Sequence, residues 1–180
     1  YDGIYYFISL PLRRKGVINI MKVIFSKSSL LNGINIVLKA VPSKTTMSIL
    51  ECILISAMDD TVTLTANDME LGIETKVEAN IVTKGKVAID AKLFSEIIRK
   101  LPDSDIILEV DENFVVSIVC DNASFKISGK PGDDFAYLPY IEKEQYISVS
   151  QFTLKEIVKQ TIFSISQYDN NKLMTGGLFE

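Results

Sequence analysis

The chain has 180 residues, of which 47% are hydrophobic and 23% are charged, and its formal net charge is −4. This composition is typical of a globular protein and excludes wholesale disorder. The chain has no histidine, which excludes histidine-based catalytic triads and histidine-ligated zinc sites within it. Cys52 and Cys120 lie far apart in apolar runs, which favours reduced, buried thiols in a cytoplasmic protein over a disulfide or a metal site.

The first 20 residues differ in pattern from the rest of the chain. Their apolar run, residues 4–12, is too short to span a bilayer, and its positive charges follow it, whereas a secretory signal carries them in front. We therefore expect residues 1–20 to be an upstream extension outside the fold, with no membrane partner; a tail that touches a membrane surface is the weaker alternative. Residues 176–180 end within an apolar run, and we expect the chain to be a fragment of a longer protein.

A β-α-β-β-β unit is predicted twice between residues 21 and 141, and it begins a third time near residue 146. Each unit opens with a short strand that leads into a helix, and each of these strands ends on a good N-capping residue: Ser26, Asp90 and Ser150. An apolar residue precedes each cap and another follows it by four positions, which is the spacing of a hydrophobic staple. The staple pairs are Phe25 and Leu30, Ile89 and Phe94, and Val149 and Leu154.

The first two helices are each followed by extended segments, several of which alternate apolar and polar residues as half-buried antiparallel strands do. Strands are expected at residues 49–58, 61–66 and 71–79, and again at 106–110, 114–120 and 124–128. The residues 129–132, Gly-Lys-Pro-Gly, are interpreted as a turn. The pattern predicts an α+β fold of repeated β-α-β-β-β units, with helices on one side of antiparallel sheets.

A rotation of roughly 100° per helical residue assigns the residues of the three predicted helices to faces. The face opposite each apolar stripe contains more basic than acidic residues. That face carries Lys39, Lys92, Arg99, Lys155 and Lys159, while the acidic residues concentrate in strands and turns. An ordinary solvated face would explain this pattern. A positive surface for nucleic-acid phosphates, with acidic surface elsewhere, would explain it as well.

Motifs for enzymatic chemistry are absent from the sequence: it contains no P-loop, no dinucleotide-binding glycine motif and no nucleophile elbow. Asp133 and Asp134 are interpreted as acids of a turn, because no third metal ligand is placed near them in sequence. We therefore expect no catalytic residue, no cofactor and no metal.

Several stretches of the sequence from Met21 onward resemble the bacterial DNA polymerase III β subunit, the ring-shaped sliding clamp. They are MKVIF at 21–25, SKTTMSIL at 43–50, TANDMEL at 65–71, RKLP at 99–102, DDFAYLP at 133–139 and LMTGGLFE at 173–180. The chain departs from the family at Lys44, where arginine is frequent, and at Ser48, where proline is frequent. Lysine keeps the charge but loses the bidentate fork of arginine, and the loss of proline loosens the loop.

The resemblance implies a DNA-clamp fold, with the clamp N-terminal domain at residues 21–141 and a truncated start of the middle domain at 142–180. It implies a processivity factor of DNA replication, a non-catalytic accessory subunit that encircles double-stranded DNA as a homodimer of three-domain subunits. The implied protein partners are the replicative polymerase and the clamp loader. An α+β protein-interaction module without a DNA role remains the alternative.

For DNA binding, the resemblance places Lys44 in a loop that contacts DNA, and Lys92 and Arg99 on a helix that lines the pore. Lys155 and Lys159 are candidate DNA contacts mainly because of their position on the helix face.

For assembly, the resemblance matches Phe125 and Ile127 to apolar residues that pack against the third domain of the partner subunit. An ordinary buried strand face is the alternative for this pair. Met174 matches one wall of the cleft that receives peptide motifs of the polymerase and the clamp loader.

Overall fold

A computed structural model of the chain describes residues 19–58, 60–137, 148–166 and 170–178. The chain divides into two compact units, residues 1–139 and residues 140–180. The boundary at residue 141 that the sequence suggests for the first domain is close to this division, and the strand expected at 146–150 lies partly outside the described residues.

The first unit contains two consecutive repeats with the predicted order of elements. The first repeat consists of β1 (Asn19–Ser26), α1 (Lys27–Val37), β2 (Cys52–Ala57), β3 (Val62–Asn67), β4 (Gly72–Val77) and β5 (Ala79–Thr83). The second consists of β6 (Gly85–Asp90), α2 (Ala91–Lys100), β7 (Asp105–Asp111), β8 (Val115–Cys120) and β9 (Ala123–Pro131). β1 begins before Met21, so Asn19 and Ile20, which the sequence pattern placed outside the fold, belong to its first strand.

Both helices of the first unit begin at the predicted N-caps. The Ser26 hydroxyl accepts a hydrogen bond from the backbone N–H of Ser29 at 3.2 Å, and the Asp90 carboxylate accepts one from Leu93 at 2.8 Å. Each bond satisfies one of the backbone donors that the first turn of a helix leaves free. The residues of both predicted staples, Phe25 with Leu30 and Ile89 with Phe94, are fully buried.

The strands pair in one antiparallel sheet of nine strands, in the order β4-β3-β2-β6-β9-β8-β7-β1-β5. β4 and β5 stand at the two ends of this order, yet only Glu78 separates them in the chain. β9 pairs with two different strands: its residues 123–128 pair with β8, and its residues 129–131 pair with β6. The turn interpretation of residues 129–132 is therefore wrong for its first three residues; the turn follows at Gly132–Asp134.

The two repeats complete each other's sheets. β2 of the first repeat pairs with β6 of the second, and β7 of the second pairs with β1 of the first. The inward side chains of these strands alternate with outward ones, as in Met21, Val23 and Phe25 of β1, which are all fully buried. They form one core with Ile34 of α1 and Ile98 of α2, so both helices cover the same apolar core.

The segment after β9 covers part of the opposite face of the sheet. Phe135 packs there against Cys52, Leu54 and Ala88 in a second, smaller apolar cluster. The Asn67 side chain fixes this segment by donating a hydrogen bond to the carbonyl of Ala136 at 2.6 Å. β2 is therefore buried on both faces along most of its length, which explains why its sequence, CILISA, does not alternate.

The second unit contains α3 (Gln151–Thr161) and short 3-10 turns at Ile162–Ser164 and Lys172–Thr175. The predicted cap of α3 is confirmed, because the Ser150 hydroxyl accepts a hydrogen bond from the N–H of Thr153 at 3.0 Å. No residue of α3 is buried, and its apolar residues Phe152, Leu154, Ile157 and Val158 are exposed or nearly so. Among the described residues, no helix is long and apolar enough to cross a membrane.

Both thiols are buried and reduced. Burial raises the pKa of the Cys52 thiol, against a smaller opposing effect of the Lys130 charge, and burial likewise raises the pKa of the Cys120 thiol. A raised pKa keeps a thiol protonated at pH values where an ordinary cysteine already forms thiolate, and only the thiolate is a good nucleophile.

We expect α1 to tolerate no side chain at Gly33, because a Cβ atom there would lie 2.5 Å from Cγ2 of Val77 and 3.0 Å from Cδ1 of Leu64. Gly33→Val should lower the free energy of unfolding by about 2 kcal/mol or more through overpacking. Asn32→Val, at the exposed neighbouring position, is the control and should change it by less than about 0.5 kcal/mol. Denaturant titration measures both values, and equal effects of the two substitutions would contradict this close packing.

We also expect alkylation of Cys52 and Cys120 at pH 8 to be at least about tenfold slower in the native protein than in the unfolded one, because burial limits access and the raised pKa values reduce the thiolate fraction. The native rate should increase as the pH rises above the ordinary cysteine pKa. Mass spectrometry of iodoacetamide-treated samples, with a guanidinium-unfolded control, measures both rates. Rapid native labelling of either thiol would show that it is accessible.

Candidate nucleic-acid interface

The last turn of α2 is tied to α1 by two side chains. The Lys27 ammonium donates a hydrogen bond to the carbonyl of Leu101, which α2 leaves without a helical partner. The Arg99 guanidinium donates one from Nη2 to Oδ1 of Asn35 at 3.0 Å. These bonds hold the two helices next to each other and restrict the orientation of the Arg99 side chain at the surface.

The predicted cations of the first unit are exposed on this pair of helices. Lys92 and Arg99 lie on the exposed face of α2, and Lys39 lies in the 3-10 turn Leu38–Ala40 that continues α1. Arg99 also lies in the last turn of α2, where a positive charge interacts favourably with the helix dipole. The exposed face of α1 contributes uncharged polar side chains, namely Ser28, Asn32 and Asn35.

The loop after α1 carries Lys44, which is exposed. The Thr45 hydroxyl accepts a hydrogen bond from the N–H of Met47 at 3.1 Å, and the carbonyl of Met47 accepts one from the N–H of Leu50 at 3.0 Å. A third anchor comes from β9, where the Lys130 ammonium donates to the carbonyl and the hydroxyl oxygen of Ser48, at 2.9 and 3.0 Å. The loop thus has a defined conformation although it contains no regular secondary structure.

The remaining predicted DNA contacts belong to the second unit. Lys155 and Lys159 are both exposed on α3. The Lys159 ammonium lies 2.9 Å from Oε1 of Glu156 on the same helix, and such exposed ion pairs contribute little to stability.

The edge formed by residues 123–128 of β9 pairs with β8 on one side only. Phe125 and Ile127 point to the core side of this edge but are only half-buried. In the first repeat, α1 packs closely on β4 at Gly33, seven residues after its cap. Ile97 occupies the equivalent position of α2, and α2 makes no comparably close contact with β9. The apolar side chains of the β9 edge are therefore left partly uncovered.

Met174, the predicted cleft residue, is 55% exposed in the second unit. Its N–H donates to the carbonyl of Asn171 at 2.9 Å, and its carbonyl accepts from the N–H of Ser166 at 3.0 Å. These bonds fix its backbone and leave its side chain accessible.

Acidic and cysteine side chains form no metal-binding cluster in the described part of the chain. It contains no group of three or more acidic, cysteine or histidine side chains that could hold a metal ion. Asp133 is exposed and lies 3.6 Å from the Lys86 ammonium, and Asp134 is exposed in the same 3-10 turn.

Asn35 and Lys130 are the site residues that the sequence pattern did not identify. Asn35 lies on the exposed face of α1, so its position in the sequence predicts solvent exposure. The position does not predict that Asn35 accepts a hydrogen bond from Arg99 of α2. Lys130 lies in the segment that was interpreted as a turn, and it contacts a residue 82 positions earlier in the chain. No local signal predicts either contact.

The family model and the similar proteins that the chain matches all point to one protein family. Residues 21–139 match the family model for the DNA polymerase III beta subunit, N-terminal domain. The chain is 34% identical over 164 residues to the beta sliding clamp of Bacillus subtilis, covering 87% of this chain and 43% of that protein. It is 32% identical over 168 residues to the beta sliding clamp of Halalkalibacterium halodurans, covering 89% and 44%.

Solved structures give the same result. A DNA polymerase III beta subunit from Eubacterium rectale is 60% identical with a TM-score of 0.81, covering 87% of this chain and 43% of that one. The DNA polymerase sliding clamp of Bacillus subtilis has a TM-score of 0.80 at 32% identity, covering 85% and 42%. The chain thus spans less than half the length of the relatives that it matches.

Proposed function

The chain belongs to the DNA polymerase III beta subunit family, and on this premise we propose that it is part of a sliding clamp that encircles double-stranded DNA in replication. The proposal rests on one structural observation above all. α2 stands beside α1 of the other repeat and presents Lys92 and Arg99 on its exposed face, and Lys39 is exposed in the 3-10 turn after α1, although the whole chain has a net charge of −4.

The chemistry of this surface suits the DNA backbone. Lysine and arginine bind phosphate oxygens without reading the bases, which is what sliding along any sequence requires. Lys92 and Arg99 supply this contact from α2, and Lys44 supplies it from the loop after α1. The neutral asparagines of α1 allow water-mediated contacts that can be exchanged rapidly as the protein moves.

In this proposal the protein is a non-catalytic accessory subunit. It retains the polymerase on DNA because a closed ring cannot leave the duplex, and no bond is made or broken. Proteins named beta sliding clamp, to which the chain is similar, support this role. An α+β interaction module that binds no DNA is the competing function, and the salt series described below distinguishes the two.

Ring closure requires interfaces at the ends of the subunit, and we assign one of them to the β9 edge. A strand edge with unpaired backbone groups and half-covered apolar side chains is a favourable place for another domain to continue the sheet. Phe125 and Ile127 would then pack against the third domain of the partner subunit in a homodimer.

The second unit fits the start of the middle domain. α3 repeats the cap of the first two helices and exposes an apolar face that the remainder of a domain would cover. Lys155 and Lys159 would lie on its DNA side, and Met174 would form one wall of the cleft for the replicative polymerase and the clamp loader.

We expect the double substitution Lys92→Glu and Arg99→Glu in the full-length protein to weaken its binding to duplex DNA. Each phosphate contact contributes about 0.9 to the slope of log affinity against log salt concentration, so the slope should fall by about 2. Equilibrium binding of a fluorescent duplex across a salt series measures the slope.

The control is Lys76→Glu on β4, an exposed position on the face of the strand opposite to Val77 and α1. It changes the net charge by the same amount per residue and should leave the slope nearly unchanged. Equal slopes for the double variant and the native protein would exclude α2 from the DNA surface and favour the interaction module.

We expect Phe125→Ser or Ile127→Ser to shift the full-length protein from dimer to monomer. Central apolar residues of an interface often contribute more than 1 kcal/mol each, so either substitution should weaken dimerisation by about tenfold or more. Sedimentation over a range of concentrations measures the dimer dissociation constant.

Val82→Ser on β5 is the control, because it also removes an apolar side chain, but from an exposed position on another strand. It should leave dimerisation unchanged. If the β9 variants stay dimeric at every concentration while remaining folded by circular dichroism, Phe125 and Ile127 belong to an ordinary strand face.

A further inference from the structure

The Lys130 side chain connects β9 to the loop after α1. Its ammonium lies 2.9 Å from the carbonyl oxygen of Ser48 and 3.0 Å from its hydroxyl oxygen. Both are charge-assisted hydrogen bonds, which are stronger than bonds between neutral groups. The two residues are 82 positions apart in sequence, so this contact exists only in the folded protein.

Among the described residues, this contact is the one that brings a hydrogen bond to the loop from a distant part of the chain. The other hydrogen bonds of residues 43–48 in the described structure come from within the loop or from the nearby residues Leu50 and Cys52. The Lys130 contact therefore supplies the tie between this loop and a strand from the second repeat. Lys44 is carried by the same loop, four residues before Ser48.

Ser48 lies at a turn position where a restricted φ angle stabilises the backbone conformation. The N–H of Leu50 donates to the carbonyl of Met47 at 3.0 Å, so residues 47–50 form a turn and Ser48 is its second residue. Proline is favoured at this position because its ring fixes φ near −65°. Serine does not fix φ, and the loop needs another means of holding its conformation.

We propose that Lys130 is a positioning residue that fixes the loop through Ser48 and thereby directs Lys44 toward DNA. The second part of this inference rests on the proposed function of Lys44. Lys130 performs this role through hydrogen bonds to the turn, in place of the constraint that a proline at position 48 would supply, and it need not touch DNA itself.

The first test is amide hydrogen exchange of the full-length protein without DNA, comparing Lys130→Met with Lys126→Met. Lys126 is exposed on the same strand, and its side chain makes no hydrogen bond or ion pair with the described residues. Lys130→Met should accelerate exchange at Met47 and Leu50, whose N–H groups are hydrogen-bonded in the loop, by about tenfold or more, because it removes two charge-assisted bonds. Lys126→Met should leave these amides unchanged. Unchanged exchange in Lys130→Met would overturn the inference.

The second test adds Ser48→Pro to Lys130→Met. Proline should restore slow exchange at Leu50, whose N–H closes the turn, without restoring the charge. For duplex binding at fixed salt, Lys130→Met should lose about two- to tenfold more affinity than Lys126→Met, since a mobile Lys44 must be ordered on binding. The double variant should recover that difference. No recovery despite restored exchange would show that Lys130 acts by its charge and would overturn positioning.

Lys44→Ala separates this inference from the proposed function. If Lys44→Ala weakens duplex binding, the comparison of the Lys130 and Lys126 variants decides whether Lys130 positions it. If Lys44→Ala leaves binding unchanged, the DNA role of Lys44 and the second part of the inference are overturned together. The exchange data still decide whether Lys130 fixes the loop.

Discussion

Two strand pairings between the repeats, β2 with β6 and β7 with β1, are the constraint on which the first unit depends. Each repeat opens with a strand whose neighbour is the second strand of the other repeat. Neither repeat can therefore complete its sheet alone, because its inner strands would be left with unpaired backbone groups. These two pairings also join the apolar faces of both repeats into one core, which both helices cover.

The same pairings between the repeats bring together the two helices of the candidate DNA surface. α1 and α2 are separated by more than 50 residues in the chain, and they become neighbours only because their preceding strands lie in one sheet. Lys27 and Arg99 then connect them through Leu101 and Asn35. The exposed Lys92 and Arg99 of α2, together with Lys39 after α1, give an acidic chain a local positive patch that can attract a polyanion.

The two repeats differ in how closely their helices pack on the sheet. Gly33 lets α1 approach β4 closely, since any Cβ atom there would overlap Val77. The equivalent position of α2 is Ile97, and α2 makes no comparably close contact with β9. α1 therefore covers β4 closely, whereas Phe125 and Ile127 of β9 are half-buried at a sheet edge.

The sequence by itself determined the local structure: the N-caps Ser26, Asp90 and Ser150, the alternating strands, the repeat and the basic helix faces. These features depend on residues within a few positions of one another, so their spacing is visible in the chain. Only the tertiary structure decided that β5 continues β4 into the other end of the sheet, that residues 129–131 are strand, and that Lys130 reaches Ser48. Those outcomes depend on pairing between distant strands, which local periodicity does not encode.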